Sequence, residues 1–191
     1  MELPVPPELE LKAVIPDPDA LRKRLLAAGA EERFRGHMSD RRYDREGELR
    51  RRDQVLRVRC YRPVDGGVEW VLGWKGRKRR ARGGYKMREE IELPIAGGES
   101  PEAFLDALGY EVVHAIDREI EVYALAGATL RFERYPRMDP LIEVEGPPDA
   151  IERAIRATGM ARSSFTADSL AAFARRYKAR TGKRAILADE S

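Results

Sequence analysis

Residues 8–12 read Glu8-Leu9-Glu10-Leu11-Lys12, and this alternation sets the reading of the chain. Successive side chains of a strand point to opposite faces. Glu8, Glu10 and Lys12 therefore share one face, and Leu9, Leu11, Ala13 and Ile15 take the other. The pattern recurs further along. Arg57 and Arg59 oppose Leu56, Val58 and Cys60. Lys75 shares a face with Glu69, opposite Trp70, Leu72 and Trp74. Arg88, Glu90 and Glu92 oppose Glu89, Ile91 and Leu93. Arg131 and Glu133 oppose Leu130 and Phe132, and Glu143 and Glu145 oppose Ile142 and Val144. Eight strands are expected, at 8–15, 40–44, 55–62, 68–75, 85–93, 118–124, 129–135 and 140–146, mostly in hairpin order. Asp65-Gly66-Gly67 is the expected turn between the third and fourth.

Four helices are expected between them. Asp17-Pro18 opens the first, with Leu21, Leu25 and Leu26 as its apolar stripe and Gly29 as its stop. The second runs from Ser100-Pro101 to Gly109. The third runs from Pro147-Pro148-Asp149 to Gly159, with Ile151, Ala154 and Ile155 inward. The fourth runs from near Thr166 to Gly182 through Leu170, Phe173 and Tyr177. Each pairs a capping or proline start with a glycine end. No linker or low-complexity stretch divides the chain, so one domain over 1–191 is expected, with its core at about 8–180 and a frayed tail at 183–191. Glu-x-Glu triplets at 8–10, 90–92 and 143–145, each followed by a proline-started helix, suggest internal duplication.

Composition narrows the classes. The 191 residues are 42% hydrophobic and 36% charged, enough apolar content for a core. Net charge is only +3, so a broad polyanion-binding surface is not implied and no nucleic-acid partner is expected. Among the basic residues 29 are arginine and 7 lysine, which favours the forked donor for phosphate and carboxylate. A lone Cys60 excludes an intrachain disulfide and a cysteine zinc site, and two histidines, His37 and His114, exclude a His-rich metal centre. With no secretion signal and no apolar run of about 18 residues, a cytoplasmic protein without membrane contact is expected.

The alternation admits two arrangements: a half-exposed antiparallel sheet with its charged face in water, or a closed barrel with that face lining a polar tunnel. The charged face is nearly all Glu with Arg or Lys. Clustered carboxylates favour a hard divalent cation, Mg²⁺ or Mn²⁺, and opposing Arg and Lys bind the oxygens of a polyanion. Together they suit a metal-chelated polyphosphate.

The order of these motifs resembles the CYTH family, the triphosphate tunnel metalloenzymes. Glu8-Leu9-Glu10-Leu11-Lys12 resembles its ExExK signature. Arg57-Val58-Arg59 after leucine resembles LRxR, Trp74-Lys75-Gly76 resembles its KG strand, and Arg88-Glu89-Glu90-Ile91-Glu92 resembles RxExE. Arg118 resembles the basic position after the second helix. Glu133-Arg134-Tyr135-Pro136 and Leu141 to Gly146 resemble the DRxP and FxExEG close. The resemblance covers 8 to about 177. It implies an α+β fold: an eight-stranded antiparallel β-barrel, the triphosphate tunnel, with helices packed outside.

It also implies divalent-metal-dependent hydrolysis of inorganic tripolyphosphate or of a nucleoside or thiamine triphosphate. The alternative within the family is a class IV adenylyl cyclase making cyclic AMP and pyrophosphate from ATP. A non-catalytic polyphosphate- or nucleotide-binding module is the third reading. Carried over, the metal ligands would be Glu8, Glu10, Glu143 and Glu145, completed by Glu90, Glu92 and Glu133. Lys12, Arg57, Arg59, Lys75, Arg88, Arg118 and Arg131 would hold the triphosphate. Lys12 would also position the attacking water, with Glu8 and Glu10 as its catalytic neighbours. The family includes dimers, so a homodimer is among its implications.

Four departures stand out. Ile116 replaces a family lysine two residues before Arg118, with His114 two residues further back. Glu133 replaces the family aspartate, Asp139-Pro140 stands where glycine is common, and the His-Phe element of class IV cyclases is replaced by Pro4-Val5-Pro6-Pro7. The last favours a hydrolase. The basic stretch GRKRRARGG (76–84) reads as a solvated connection, Cys60, Trp70 and Trp74 as core residues, Tyr43 as core or rim, and the two histidines as structural.

Overall fold

The computed structural model describes residues 8–80, 86–96 and 100–189, with the side chains of Glu8, Arg80, Lys86 and Met87 outside that description. Strand β1 (Glu8–Val14) leads to helix α1 (Pro18–Ala27). Asp17 caps α1 by accepting the Ala20 amide at 3.0 Å, and Leu21 and Leu25 turn inward. Strand β2 (Glu31–Asp44), helix α2 (Glu48–Arg51), strands β3 (Val55–Pro63) and β4 (Glu69–Lys75) and the two-residue β5 (Arg79–Arg80) follow. Next come β6 (Lys86–Arg88), β7 (Glu90–Ile95), helix α3 (Glu102–Ala107), the long β8 (Glu111–Leu125), β9 (Ala128–Arg134) and β10 (Leu141–Glu145). Helix α4 (Pro148–Thr158), a 3₁₀ turn at Arg162–Ser164 and helix α5 (Leu170–Thr181) complete the chain.

One antiparallel sheet runs β5-β6-β1-β10-β9-β8-β2-β3-β4-β7. Setting aside the short β5, the chain crosses it in eight passages, because β6 and β7 are one passage interrupted at Glu89. The class is the α+β one expected, with helices outside. Full closure is not observed. Arg88 pairs with Glu8 of β1, but two residues later Glu90 pairs with Lys75 of β4, so the passage changes edge instead of closing the ladder. Beyond that point the edge of β1 is taken by the C-terminal segment, where Lys12 and Thr166 exchange backbone bonds of 2.8 Å.

Three further expectations are corrected. β2 and β8 reach well past 40–44 and 118–124, and they pair with each other from Glu31↔Ala124 to Asp44↔Glu111. At each end an exposed stretch of one strand, Glu31–Arg33 or Glu111–His114, pairs with a more buried stretch of the other, so the alternation fades there. Helix α2 had no expected counterpart. The tail expected to fray is tied down as far as Asp189: Ile186 exchanges backbone bonds with Arg137, Asp117 donates to the Leu187 carbonyl at 2.7 Å, and Asp189 donates to the Asp117 carboxylate at 3.1 Å, while 190–191 lie outside the described residues. Tyr85 and residues 81–84 of the basic stretch lie outside the described residues.

The main core lies outside the sheet. Leu11, Ala13, Leu130, Phe132, Ile142 and Val144 meet Leu21 and Leu25 of α1 and Ile151, Ala154 and Ile155 of α4. A second cluster joins Ile116, Tyr135 and Leu141 to Phe173 of α5. A third, smaller one joins Tyr43 and Val58 to Leu105 of α3, with Trp70 against it. Cys60 is a buried free thiol, as its face predicts. The apolar half of the alternation thus packs on helices, and the charged half faces the sheet's concave side.

Candidate functional site

That concave side encloses a cavity of about 630 Å³. Its lining includes Glu10, Lys12, Arg57, Arg59, Lys75, Arg88, Glu90, Glu92, Arg118, Arg131, Glu143 and Glu145. These twelve sequence-expected residues come from seven strand passages and meet because each occupies an inward position. Glu133 is brought close but not into the lining. It is buried behind Arg118, whose Nη1 lies 2.9 Å from its Oε1, and its Oε2 accepts the Tyr135 hydroxyl at 2.6 Å. The backbone of Glu8 is paired to Arg88, and its side chain lies outside the described residues.

Opposite charges interlock along the cavity walls. Lys12 pairs with Glu143, and Lys75 with Glu90. Arg131 Nη2 lies 2.9 Å from Glu143 Oε1 and 3.6 Å from Glu145 Oε2. Glu92 Oε1 accepts from Arg57 at 2.7 Å and from Arg59 at 3.0 Å. Gly73, opposite Glu92 in register, leaves room for this, since a Cβ there would stand 3.1 Å from Arg57 Nε. Arg88 donates to Asp53 Oδ1 at 2.9 Å.

Several residues here were not foreseen. Asp40 is 1% exposed and sits among arginines, with Oδ2 3.4 Å from Arg59, 3.9 Å from Arg118 and 4.0 Å from Arg57. Its Oδ1 has no hydrogen-bond partner among the described residues. Burial alone would raise its pKa, but Arg59, Arg57 and Arg118 together hold it well below the usual carboxylate range. Arg42, Asp53 and the C-terminal Leu170 and Leu187 also line the cavity. Asp40 was legible as the start of a strand, but no alternation partner marked it as inward. Leu187 carried no signal at all.

The same field shifts other groups. Burial, then the Arg59 charge, brings Arg57 down to about 10. Burial and Arg57 push Lys75 down to about 8. Burial opposes ionisation of Glu133, yet Arg118 and then Lys12 and Arg131 hold it at about 2. His114, on the inner face beside Arg42, is lowered by burial and by that arginine. Ile116, 1% exposed, packs on Tyr135, Leu141 and Phe173 and offers no polar contact to the cavity.

Among the described residues no three acids stand ready as a metal cluster. The donor set still suits a hard divalent ion. Glu10, Glu143 and Glu145 are oxygen donors on adjacent β1 and β10, and Mg²⁺ commonly takes one or two carboxylates and fills its shell with water and substrate phosphate. No helix of the described residues is long and apolar enough to cross a membrane.

No family model and no curated protein matches the sequence. Solved structures do match in shape. A protein of Pyrococcus horikoshii OT3 aligns over 92% of this chain and 99% of its own, at 23% identity and a TM-score of 0.68. A candidate adenylate cyclase of Vibrio parahaemolyticus aligns over 88% and 97%, at 16% identity and a TM-score of 0.68. A candidate adenylyl cyclase from Hippeastrum with dominant triphosphatase activity aligns over 94% and 97%, at 18% identity and a TM-score of 0.59. The chain shares the fold of these proteins, the CYTH-like fold that its strand motifs implied.

Proposed function

We propose that the cavity binds the triphosphate of a small-molecule substrate and hydrolyses it with the help of Mg²⁺ or Mn²⁺. One observation carries the reading: Lys and Arg from β1, β3, β4, β6, β8 and β9 converge on one enclosed space already holding the carboxylates of β1, β7 and β10. A site for a polyanion alone would need the bases and would be weakened by the acids. A site for a polyanion with a divalent cation needs both. The fold shared with a triphosphatase supports the same reading.

Glu10, Glu143 and Glu145 would hold the metal, with Glu8 beside them in sequence alternation and Glu90 and Glu92 across the cavity. Such an ion lowers the charge barrier to attack on phosphorus and acidifies water. The rest falls to the chain. Arg57, Arg59 and Arg118 exchange their carboxylate partners for phosphate oxygens, a trade between like geometries because guanidinium binds both in a forked manner. Arg131, Lys75 and Arg88 neutralise the remaining charge. Lys12, held between Glu143 and Glu10, orients the terminal phosphate and the water that attacks it. Glu133 and Tyr135 fix Arg118 from behind. Preorganised charge of this kind is where phosphoryl transfer gains most of its rate.

The test is product identity. Purified protein is incubated with Mg²⁺ or Mn²⁺ and, separately, tripolyphosphate, ATP and thiamine triphosphate. Orthophosphate is the expected product, and the fastest substrate names the enzyme. Cyclic AMP with pyrophosphate from ATP would make it a cyclase instead. Binding without turnover under every condition would leave only a polyphosphate-binding module.

A further inference from the structure

We infer that Arg42 is an additional phosphate-binding residue of the cavity, supplying from β2 the contact that Ile116 cannot make from β8. The inference rests on reading the cavity as a triphosphate site. Arg42 lies on an inward position of β2, between His114 of β8 and Arg57 of β3 in register. One inward position along, Asp40 faces Ile116 in the same ladder. The gap left by the isoleucine and the extra arginine are thus neighbours across two strands.

What separates Arg42 from the seven cavity cations that the strand motifs mark is that it has no ion pair among the described residues. Lys12, Arg57, Arg59, Lys75, Arg88, Arg118 and Arg131 each have a carboxylate oxygen within 4.0 Å. Arg42 makes no such pair among the described residues, and its Nε is buried without a hydrogen-bond partner. Its charge is disfavoured first by burial, and Arg118, Arg59 and Arg88 repel it, with Asp40 the opposing attraction. A half-buried guanidinium with no ion pair, its Nε buried without a hydrogen-bond partner and three like charges near it, is costly to the free protein. An anion entering the cavity removes that cost and satisfies the forked donor. The group is therefore arranged for a ligand that is absent until substrate arrives, whereas the paired arginines must first release a carboxylate.

The test is calorimetric titration of inorganic tripolyphosphate into wild type, R42Q and R42K, with the melting temperature of each free protein. R42Q should weaken binding about 10- to 100-fold, the range for a charged hydrogen bond. R42K should recover part of that loss. The free R42Q protein should melt no lower than wild type, because a charge without an ion pair has been removed. Wild-type binding matched by R42Q would overturn the assignment of Arg42 and leave the triphosphate reading standing. A weaker R42Q that also melts lower would assign Arg42 a structural role and overturn it as well. No binding by wild type would overturn both.

Discussion

On the wall formed by β1, β10 and β9, Glu10, Glu143 and Glu145 face the cavity, and the reverse face is buried under α1 and α4. On the wall formed by β2, β3, β4 and β7, Arg42, Arg57 and Arg59 face the same cavity, but the reverse face has only α3 and a small cluster behind it. Ile91, Leu93 and Phe104 there are 48%, 53% and 65% exposed. The acid wall is fixed from outside by a packed core. The arginine wall is fixed largely from within, by Asp40, Glu90 and Glu92. The same alternation thus yields two kinds of support. Charge should matter on both walls for activity, but mainly on the arginine wall for stability.

The largest effect should fall on chemistry at the acid wall. Glu143→Gln should lower kcat by about 10³-fold or more, the scale of losing a main electrostatic group in a preorganised site. Arg59→Met should act mostly through KM, with kcat/KM down about 10²-fold. Steady-state kinetics with the preferred triphosphate separates the two. An unchanged kcat in Glu143→Gln would sink the division between the walls.

Stability should follow next. Ile155, buried between α4 and the sheet, should cost about 2–5 kcal/mol when cut to alanine, read by urea unfolding. On the arginine wall, Asp40→Asn should cost about 3 kcal/mol at neutral pH, because it leaves buried arginines without their acid. The pH dependence has a definite sign. Arginines hold Asp40 below its ordinary carboxylate value in the folded state, so its contribution is present above about pH 4 and is lost as pH falls further. Wild type should therefore lose stability below about pH 4 more steeply than Asp40→Asn. Parallel acid limbs would mean that the arginine wall is not held from within.

The two walls were also unequally legible. Glu8-Leu9-Glu10 and Glu143-Val144-Glu145 alternate without interruption, because an ordinary hydrophobic core behind a strand forces strict period two. The inward residues of β3, β4, β9 and β10 could be read in the same way. β2 could not, because its reverse face is half solvent and half small cluster, so Arg41 and Arg42 look alike in sequence. Alternation from Asp40 puts Arg42 on the inner face and Tyr43 in the α3 cluster, but that phase is set by the pairing with β3 and β8, which the sequence of β2 alone does not show. Closure was misread for a related reason. Strand pairing at 86–95 changes partner at Glu89, and the edge of β1 at Lys12 is completed by Thr166, a contact between residues far apart in sequence with no local signal. The tail was misread because what holds it is hydrogen bonding to Arg137 and Asp117, which polarity alone does not reveal.

The smallest effect sharpens the comparison most. Leu93 pairs with Leu72 across β7 and β4 on the reverse of the arginine wall, and it is half exposed. A side chain already half in water gains little from folding, so Leu93→Ser should change stability by less than about 0.5 kcal/mol. Catalysis should be unaffected, since the substitution lies outside the cavity while Glu92, next to it, stays bonded to Arg57 and Arg59. A cost near that of Ile155→Ala, measured in the same urea series, would mean that apolar packing behind β7 carries the arginine wall after all. A negligible cost, set beside the loss from Asp40→Asn, places the support of that wall in the charges that line it. The groups holding that wall together would then be the ones that an entering polyanion must displace.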